Sequence, residues 1–347
     1  KALLKNAHLF HTLKHQAKEF GITFDNLSYD WGAVIGRSRN VSDRLAGGVE
    51  FLFKKNKVDY VKGYGSVVDS THVEVKASDG SVQVLETSNI IIATGGKARE
   101  FPGLPFNGSN VIGSREAMTL PSQPSSMVII GAGAIGVEFA YIYNAFGTEV
   151  TLVEMMPRLV PVEDDDIGDA LKKSYSRQGI KCLTDTKVIG TENAGDSVRV
   201  TVENAKGSQV IEADICLVAI GVVPVLPGGQ LPEFTDRGWI QIGDRYETSM
   251  KGVYAIGDIA GPPWLAHTAM YEATQCVDGI FLPESTPSRV GTFPGCTYCY
   301  PEIASVGKTE RELQEEGVAY KAGKFPYQAL GKAQAAAETE GFIKLLF

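Results

Sequence analysis

Cysteine is scarce in this chain and follows no framework. Cys182, Cys216, Cys276, Cys296 and Cys299 are an odd number scattered through 347 residues, which excludes a dense secreted disulfide scaffold and favours a reducing compartment, cytoplasm or organellar matrix or stroma. Basic charge is also short. With 33 Lys+Arg against 41 Asp+Glu the net charge is -8, the wrong sign for a phosphate-backbone binder, so nucleic acid is excluded as a partner. No apolar run suits a membrane span: the longest candidate, Met127 to Gly147, is interrupted by Gly131, Gly133, Gly136, Glu138 and Asn144. No targeting segment is readable in the chain either. The chain opens on Lys1-Ala2-Leu3-Leu4, and at the far end the apolar Gly341 to Phe347 stops without turn chemistry, so both ends read as cuts.

Glycine is what the chain has in excess. Its 38 copies are about 11% of residues against an average near 7%, and they sit in short clusters between apolar runs. With 44% hydrophobic and 21% charged residues the chain is an ordinary globular one, of two or three domains by length. Helical spacing runs over Ala2 to Phe20 and from about Tyr29 to Lys55, and Val58 to Glu86 reads as an antiparallel meander. Asn89 to Gly96 has the pattern of a strand buried on both faces. Pro121 to Pro124 is a linker, Met127 to Glu154 is strand, turn, helix, strand, and Asp164 to Gln178 is a helix. Strands follow over Lys187 to Ala219, then a helix after Asp258, and from Phe293 a last run of strands with one helix.

The turn after the Met127 strand carries the chemistry. Gly131-Ala132-Gly133-Ala134-Ile135-Gly136 is G-x-G-x-x-G between a strand and a helix, continuing into Val137 and Glu138. Gly131 permits the tight turn, Gly133 lets backbone approach a pyrophosphate, and Gly136 lets helix pack on strand. The second strand ends in Glu154, whose carboxylate would accept from both ribose hydroxyls and repel a 2'-phosphate, so the site should prefer NAD to NADP. A second signal pairs Thr94-Gly95-Gly96 with Val253 to Asp258. Asp258 stands at the carboxyl edge of a buried sheet, where it can bond a polyol; read alone, it serves equally as an N-cap for the next segment.

Together with Lys1-Ala2-Leu3-Leu4, Gly63-Tyr64-Gly65, Leu265-Ala266-His267 and Tyr300-Pro301-Glu302-Ile303-Ala304, these motifs resemble the two-dinucleotide flavoprotein disulfide reductases over nearly the whole chain. The resemblance implies an α/β protein with two Rossmann-like doubly wound dinucleotide-binding domains, the FAD domain incomplete, plus part of an α+β interface domain. The corresponding boundaries are 1–113 and 245–291 for FAD, 114–244 for NAD and 292–347 for the interface domain. It implies FAD along Lys1, Gly65, Thr94, Gly95, Gly96, Asp258, Trp264, Leu265, Ala266 and His267, and NAD along Gly131, Ala132, Gly133, Ala134, Ile135, Gly136, Val137, Glu138, Glu154, Val188 and Gly221. Lys1 paired with Glu138 beside the flavin is the implied catalytic pair, with no metal. The expected reaction moves electrons from dihydrolipoamide on a lipoyl-carrier domain through FAD to NAD+, in a homodimer serving a 2-oxo-acid dehydrogenase complex. A transhydrogenase, a mercuric reductase and a non-catalytic nucleotide binder are the alternatives.

In the family a C-x-x-x-x-C pair lies just before the Lys-Ala-Leu segment and a His-Glu pair lies beyond the point matching Phe347; neither occurs in this sequence. Val222 and Val223 stand where many members carry arginine. Cys296-Thr297-Tyr298-Cys299 looks like a dithiol motif, but residues three apart on a strand face opposite ways, so it reads as structural. Glu163 to Asp166 reads as acidic charge complementing a helix start, not as a metal site. His267 reads as a backbone-contact segment, not a proton carrier.

Overall fold

Apolar strands that alternate with amphipathic helices can bury both faces of a sheet only by forming parallel βαβ units, and among the described residues the stretch from Ser126 to Leu183 forms two in succession. The computed structural model describes residues 1–282 and 284–347. They form two compact units: Lys1–Arg44, Ala98–Gly221 and Pro294–Phe347 in the first, Leu45–Lys97 and Val222–Phe293 in the second.

The first unit is built on a five-stranded parallel sheet, in the order Val111–Ile112, Ile215–Val218, Ser126–Ile130, Glu149–Val153, Lys181–Leu183. Ser126 to Ile130 pairs residue by residue with Glu149 to Val153, which aligns the two strand ends that the nucleotide motif needs. The helix Ala134–Ala145 between them is buried nearly all round, from Val137 to Tyr143. Helices of that kind lie inside a core. Here Leu3, Leu4 and Ala7 of the opening helix, Ala2–Gln16, share its core cluster. Below the sheet lies an antiparallel meander, Lys187–Asn193, Val198–Asn204 and Gly207–Ala213, whose alternating Val198, Val200 and Val202 close a second cluster with Val128, Ile130 and Val218. Two hairpin-like pairs, Pro294–Thr297 with Ile303–Val306 and Ala322–Pro326 with Phe342–Leu346, complete the unit.

The second unit holds the meander Tyr64–Asp69, His72–Lys76 and Val82–Glu86, the parallel pair Ile90–Ile92 with Val253–Ala255, and the helix Ala266–Phe281. Its core is Val67, Ile90, Ile92, Ile240, Val253, Ala255 and Ile259.

Two expectations need correction. Ile90–Ile92 is not buried on both faces: Ile91 is 38% exposed, because among the described residues the strand has one parallel neighbour and alternates inward and outward. The final segment has two α-helices, Glu310–Glu315 and Gly331–Ala336, instead of one. The second is a six-residue alanine-rich turn too short to show periodicity.

Candidate functional site

The three motif glycines are required for different reasons. Gly131 has φ +99°, and a Cβ there would lie 2.5 Å from the Ala219 carbonyl oxygen. A Cβ on Gly136 would lie 1.9 Å from the Gly131 oxygen, so any side chain would push the helix off its strand. Gly133 differs: its Cβ would meet nothing within 4 Å. That open space sits at the N-cap of Ala134–Ala145, where first-turn amides have no intrahelical acceptor. A dinucleotide pyrophosphate fits such a cradle.

Glu154 closes the cradle from the second strand. It is buried, its Oε2 accepts from the Ala132 amide at 2.7 Å, and its Oε1 accepts from the Met156 amide at 2.9 Å. Each oxygen keeps a further lone pair for a ribose hydroxyl. The motif reading anticipated the carboxylate; the brace to Ala132 has no signature in the spacing. Ala132 and Val137 are fully buried, whereas Ala134 is exposed and Ile135 half-buried. Gly221 follows the sheet's Ile215 strand at φ +108° and accepts from the Arg99 amide at 3.0 Å. Val188 packs against the core cluster that contains Ile130 and Val153.

One turn beyond the cradle the same helix offers Glu138. Lys1 Nζ donates to its Oε1 at 2.9 Å, and the Tyr298 amide donates to that oxygen at 2.8 Å. The Tyr298 ring lies under the ammonium, 3.6 Å from Nζ to the ring centroid. Lys1 and Glu138 are therefore in contact, the pairing that the family resemblance implies. Tyr298 was missed; it lies 160 residues from Glu138, inside a stretch read only for its cysteines.

In the second unit Asp258 lies within the 3-10 turn Gly257–Ala260, and burial pushes its carboxyl up. The capping alternative fails, because Leu265 caps the helix Ala266–Phe281 and Ile256 caps the turn. Gly96 is tight, its Cβ position 3.3 Å from the Val223 oxygen and 3.5 Å from Asp258 Cβ, while Gly95 at φ +75° faces open space after Thr94. Gly65 would tolerate a side chain, with Val73 the nearest neighbour at 3.9 Å. Trp264 is exposed, its ring 5.3 Å from that of Trp239, and Ala266 and His267 form the exposed first turn of their helix.

All five cysteines are free. Cys299 lies beyond the strand that holds Cys296, buried, with its Sγ donating to the Pro301 carbonyl at 3.1 Å. The opposite-faces argument for Cys296 and Cys299 therefore gives way to a simpler one, since they are not on the same strand. Burial pushes the Cys182 and Cys276 thiols up to about 11 and those of Cys216 and Cys299 up to about 12. Such thiols are poor nucleophiles. Asp164 and Asp166, at the start of the helix Asp165–Arg177, meet Glu310 around Lys344. Lys344 Nζ is 2.7 Å from Asp164 Oδ1 and 2.9 Å from Asp166 Oδ2, and also bonds Glu310. A lysine already fills the space a cation would take.

The family model for pyridine nucleotide-disulphide oxidoreductases matches residues 1–273, and the model for their dimerisation domain matches residues 293–347. The chain belongs to the pyridine nucleotide-disulphide oxidoreductase family. It is similar to mitochondrial dihydrolipoyl dehydrogenase from Pisum sativum, 38% identical over 357 residues and covering 100% of this chain and 70% of that protein. Dihydrolipoyl dehydrogenase from Chlorobaculum parvum is 41% identical over 354 residues, covering 100% and 75%. Leghemoglobin reductase from Glycine max is 38% identical, covering 100% and 67%. Among solved structures, LpdA from Mycobacterium tuberculosis superposes with a TM-score of 0.90 at 23% identity over 100% of this chain and 76% of that one, which shows the shared fold. As an oxidoreductase of this family the chain draws Lys1 and Glu138 from the redox-domain match and Tyr298 from the dimerisation-domain match.

Proposed function

We propose that this chain carries the nucleotide-handling machinery of a dihydrolipoyl dehydrogenase, in which dihydrolipoamide is oxidised and NAD+ reduced through FAD. Family members use FAD and NAD(H). The supporting observation is that one helix, Ala134–Ala145, begins at the phosphate cradle and offers Glu138, paired with Lys1, one turn later. FAD supplies the two-electron relay between thiols and nicotinamide when bound. Gly131 to Gly136 would hold the NAD pyrophosphate, Glu154 the ribose, and Val188 and Gly221 the walls beside it. Asp258 would bond the flavin's polyol, with Gly65, Thr94, Gly95, Gly96 and Trp264 to His267 along the same cofactor. Lys1 would supply positive charge beside the flavin ring, and Glu138, bonded to its ammonium, would hold that charge in place.

None of the five cysteines is assigned the thiol step, because all are free and no two are spaced as C-x-x-x-x-C. The dimerisation-domain match supports a homodimer, and the relatives' names support a lipoyl-carrier partner within a 2-oxo-acid dehydrogenase complex, in cytoplasm or an organellar matrix. No helix among the described residues is long and apolar enough to cross a membrane. The test is the flavin-loaded holoprotein mixed with dihydrolipoamide and NAD+, followed by NADH absorbance. Because this sequence holds no C-x-x-x-x-C pair to take the thiol electrons, no NADH should form, whereas the same holoprotein should oxidise NADH with a dye; NADH formation from dihydrolipoamide overturns the need for that pair, and a holoprotein inert toward NADH and dye overturns the flavoprotein reading.

A further inference from the structure

We propose that Tyr298 is a positioning residue for the redox site, holding Lys1 and Glu138 in register through its backbone amide and its ring; the proposal rests on the flavoprotein reading above. Three contacts converge on one place. Glu138 Oε1 accepts from Lys1 Nζ at 2.9 Å and from the Tyr298 amide at 2.8 Å, and Lys1 Nζ stands 3.6 Å from the Tyr298 ring centroid.

The arrangement answers a physical problem. The Lys1 side chain is 60% exposed, and an exposed lysine in a surface ion pair normally samples many rotamers, because four rotatable bonds cost more to order than a screened pair returns. A π face below the ammonium adds a second electrostatic minimum at the same point and covers one side of it. The amide meanwhile fixes the carboxylate oxygen from a direction the lysine does not use. Glu138 comes from the buried helix Ala134–Ala145, and Tyr298 from just after the strand Pro294–Thr297, so the charge on a flexible stem is held by two rigid elements. A held charge, unlike a mobile one, acts on the ring it faces without reorganising during electron transfer.

The two functions of Tyr298 separate by mutation, because every residue except proline keeps the amide. Tyr298→Leu removes the π face together with the hydroxyl, and Tyr298→Phe removes the hydroxyl alone. The first readout uses the chain alone. Reductive 13C-methylation of lysines leaves the charge intact, and the Lys1 methyl signal should be shifted upfield by the ring in wild type and Y298F and move to the position of exposed lysines in Y298L. The second readout is the midpoint potential of bound flavin in the holoprotein, measured against a reference dye. It should fall in Y298L, as the loosened cation stabilises reduced flavin less, and hold its wild-type value in Y298F.

A wild-type Lys1 signal among the exposed lysines overturns the arrangement. A potential unchanged in Y298L, with the methyl shift lost as expected, overturns the positioning role while leaving the flavoprotein reading intact. A holoprotein that takes up no flavin overturns that reading and the role with it, whatever the methyl signal shows.

Discussion

Single residues at the cradle act through different physics, and substitutions should separate them. Gly136→Ala places a methyl 1.9 Å from the Gly131 oxygen, so helix and strand must part, at a cost of roughly 3 kcal/mol by the usual scale of overpacking. Chemical denaturation of the variant checks this. Gly133→Ala meets open space at an allowed φ, so stability should change by only about 0.5 kcal/mol while NADH affinity drops about tenfold or more as the methyl enters the pyrophosphate's place. Calorimetric titration alongside a melting curve reads both; loss of stability with unchanged affinity would reverse the assignment. Glu154→Arg should shift preference from NADH toward NADPH, since a cation for the 2'-phosphate replaces the ribose acceptor. The Ala132 amide then loses its acceptor, which adds about 1–3 kcal/mol of destabilisation, so the ratio of the two affinities is the quantity to measure. An unchanged ratio would sink the idea that Glu154 selects the nucleotide. The glycines and Glu154 were legible in the sequence because strand, turn and helix are contiguous there. Tyr298 and the Ala132 brace were not, because side-chain to backbone contacts across 160 and 22 residues leave no periodic trace.

At the scale of elements, the start of the helix Asp165–Arg177 is where the dimerisation-domain strand Phe342–Leu346 is fastened. Asp164 caps the helix, accepting from the Asp166 amide at 3.2 Å, and Lys344 satisfies the remaining carboxylate charge. The acidic run complements a helix start, as its composition suggests, but it also serves a lysine 178 residues away from Asp166 that no local pattern reveals. The hydrogen bonds of Lys344 hold the carboxyls of Asp164 and Asp166 below their ordinary value of 3.8, in Asp164 against the opposing effect of its own burial. Those same bonds push the Lys344 ammonium up from 10.5 against its burial. Depressed carboxylates stabilise the fold fully above their unfolded value and lose that contribution as pH falls through the folded one. A raised lysine contributes below its unfolded value and loses that contribution only as pH rises through the folded one. The cluster should therefore be indifferent to pH between about 5 and 9 and weaken below about pH 4. Lys344→Met leaves Asp164 and Glu310 facing each other without a cation. The expected loss is roughly 3 kcal/mol, the low end for breaking a buried pair, because Asp166 is 45% exposed. Denaturation at pH 7 and pH 3.5 tests it: the gap between variant and wild type should narrow at the lower pH, and a gap independent of pH would rule out the ionic account.

At the scale of the whole molecule, the contact-defined units and the cofactor-based boundaries divide the chain differently. Val111–Ile112 joins the nucleotide sheet beside Ile215–Val218, so a nucleotide domain begun at residue 114 would lack its edge strand. A two-residue strand whose partners lie 105 residues further along is invisible to periodicity, which is why the sheet's middle was readable and its border was not. The segment Ala98–Gly221 holds all five parallel strands, the meander beneath them, the cradle and Glu154. It should fold and bind NADH by itself, with the preference over NADPH retained, because each residue assigned to the NAD pyrophosphate and ribose lies within it. It should also melt at a lower temperature and bind a hydrophobic dye, because Phe139, Tyr143 and Phe146 lose Leu3, Leu4, Ala7 and Trp31 from their core cluster. Circular dichroism establishes folding and quenching of intrinsic fluorescence by NADH reports binding. A folded segment that binds no NADH would mean the nucleotide site needs residues outside 98–221, and the cradle with Glu154 would then be insufficient.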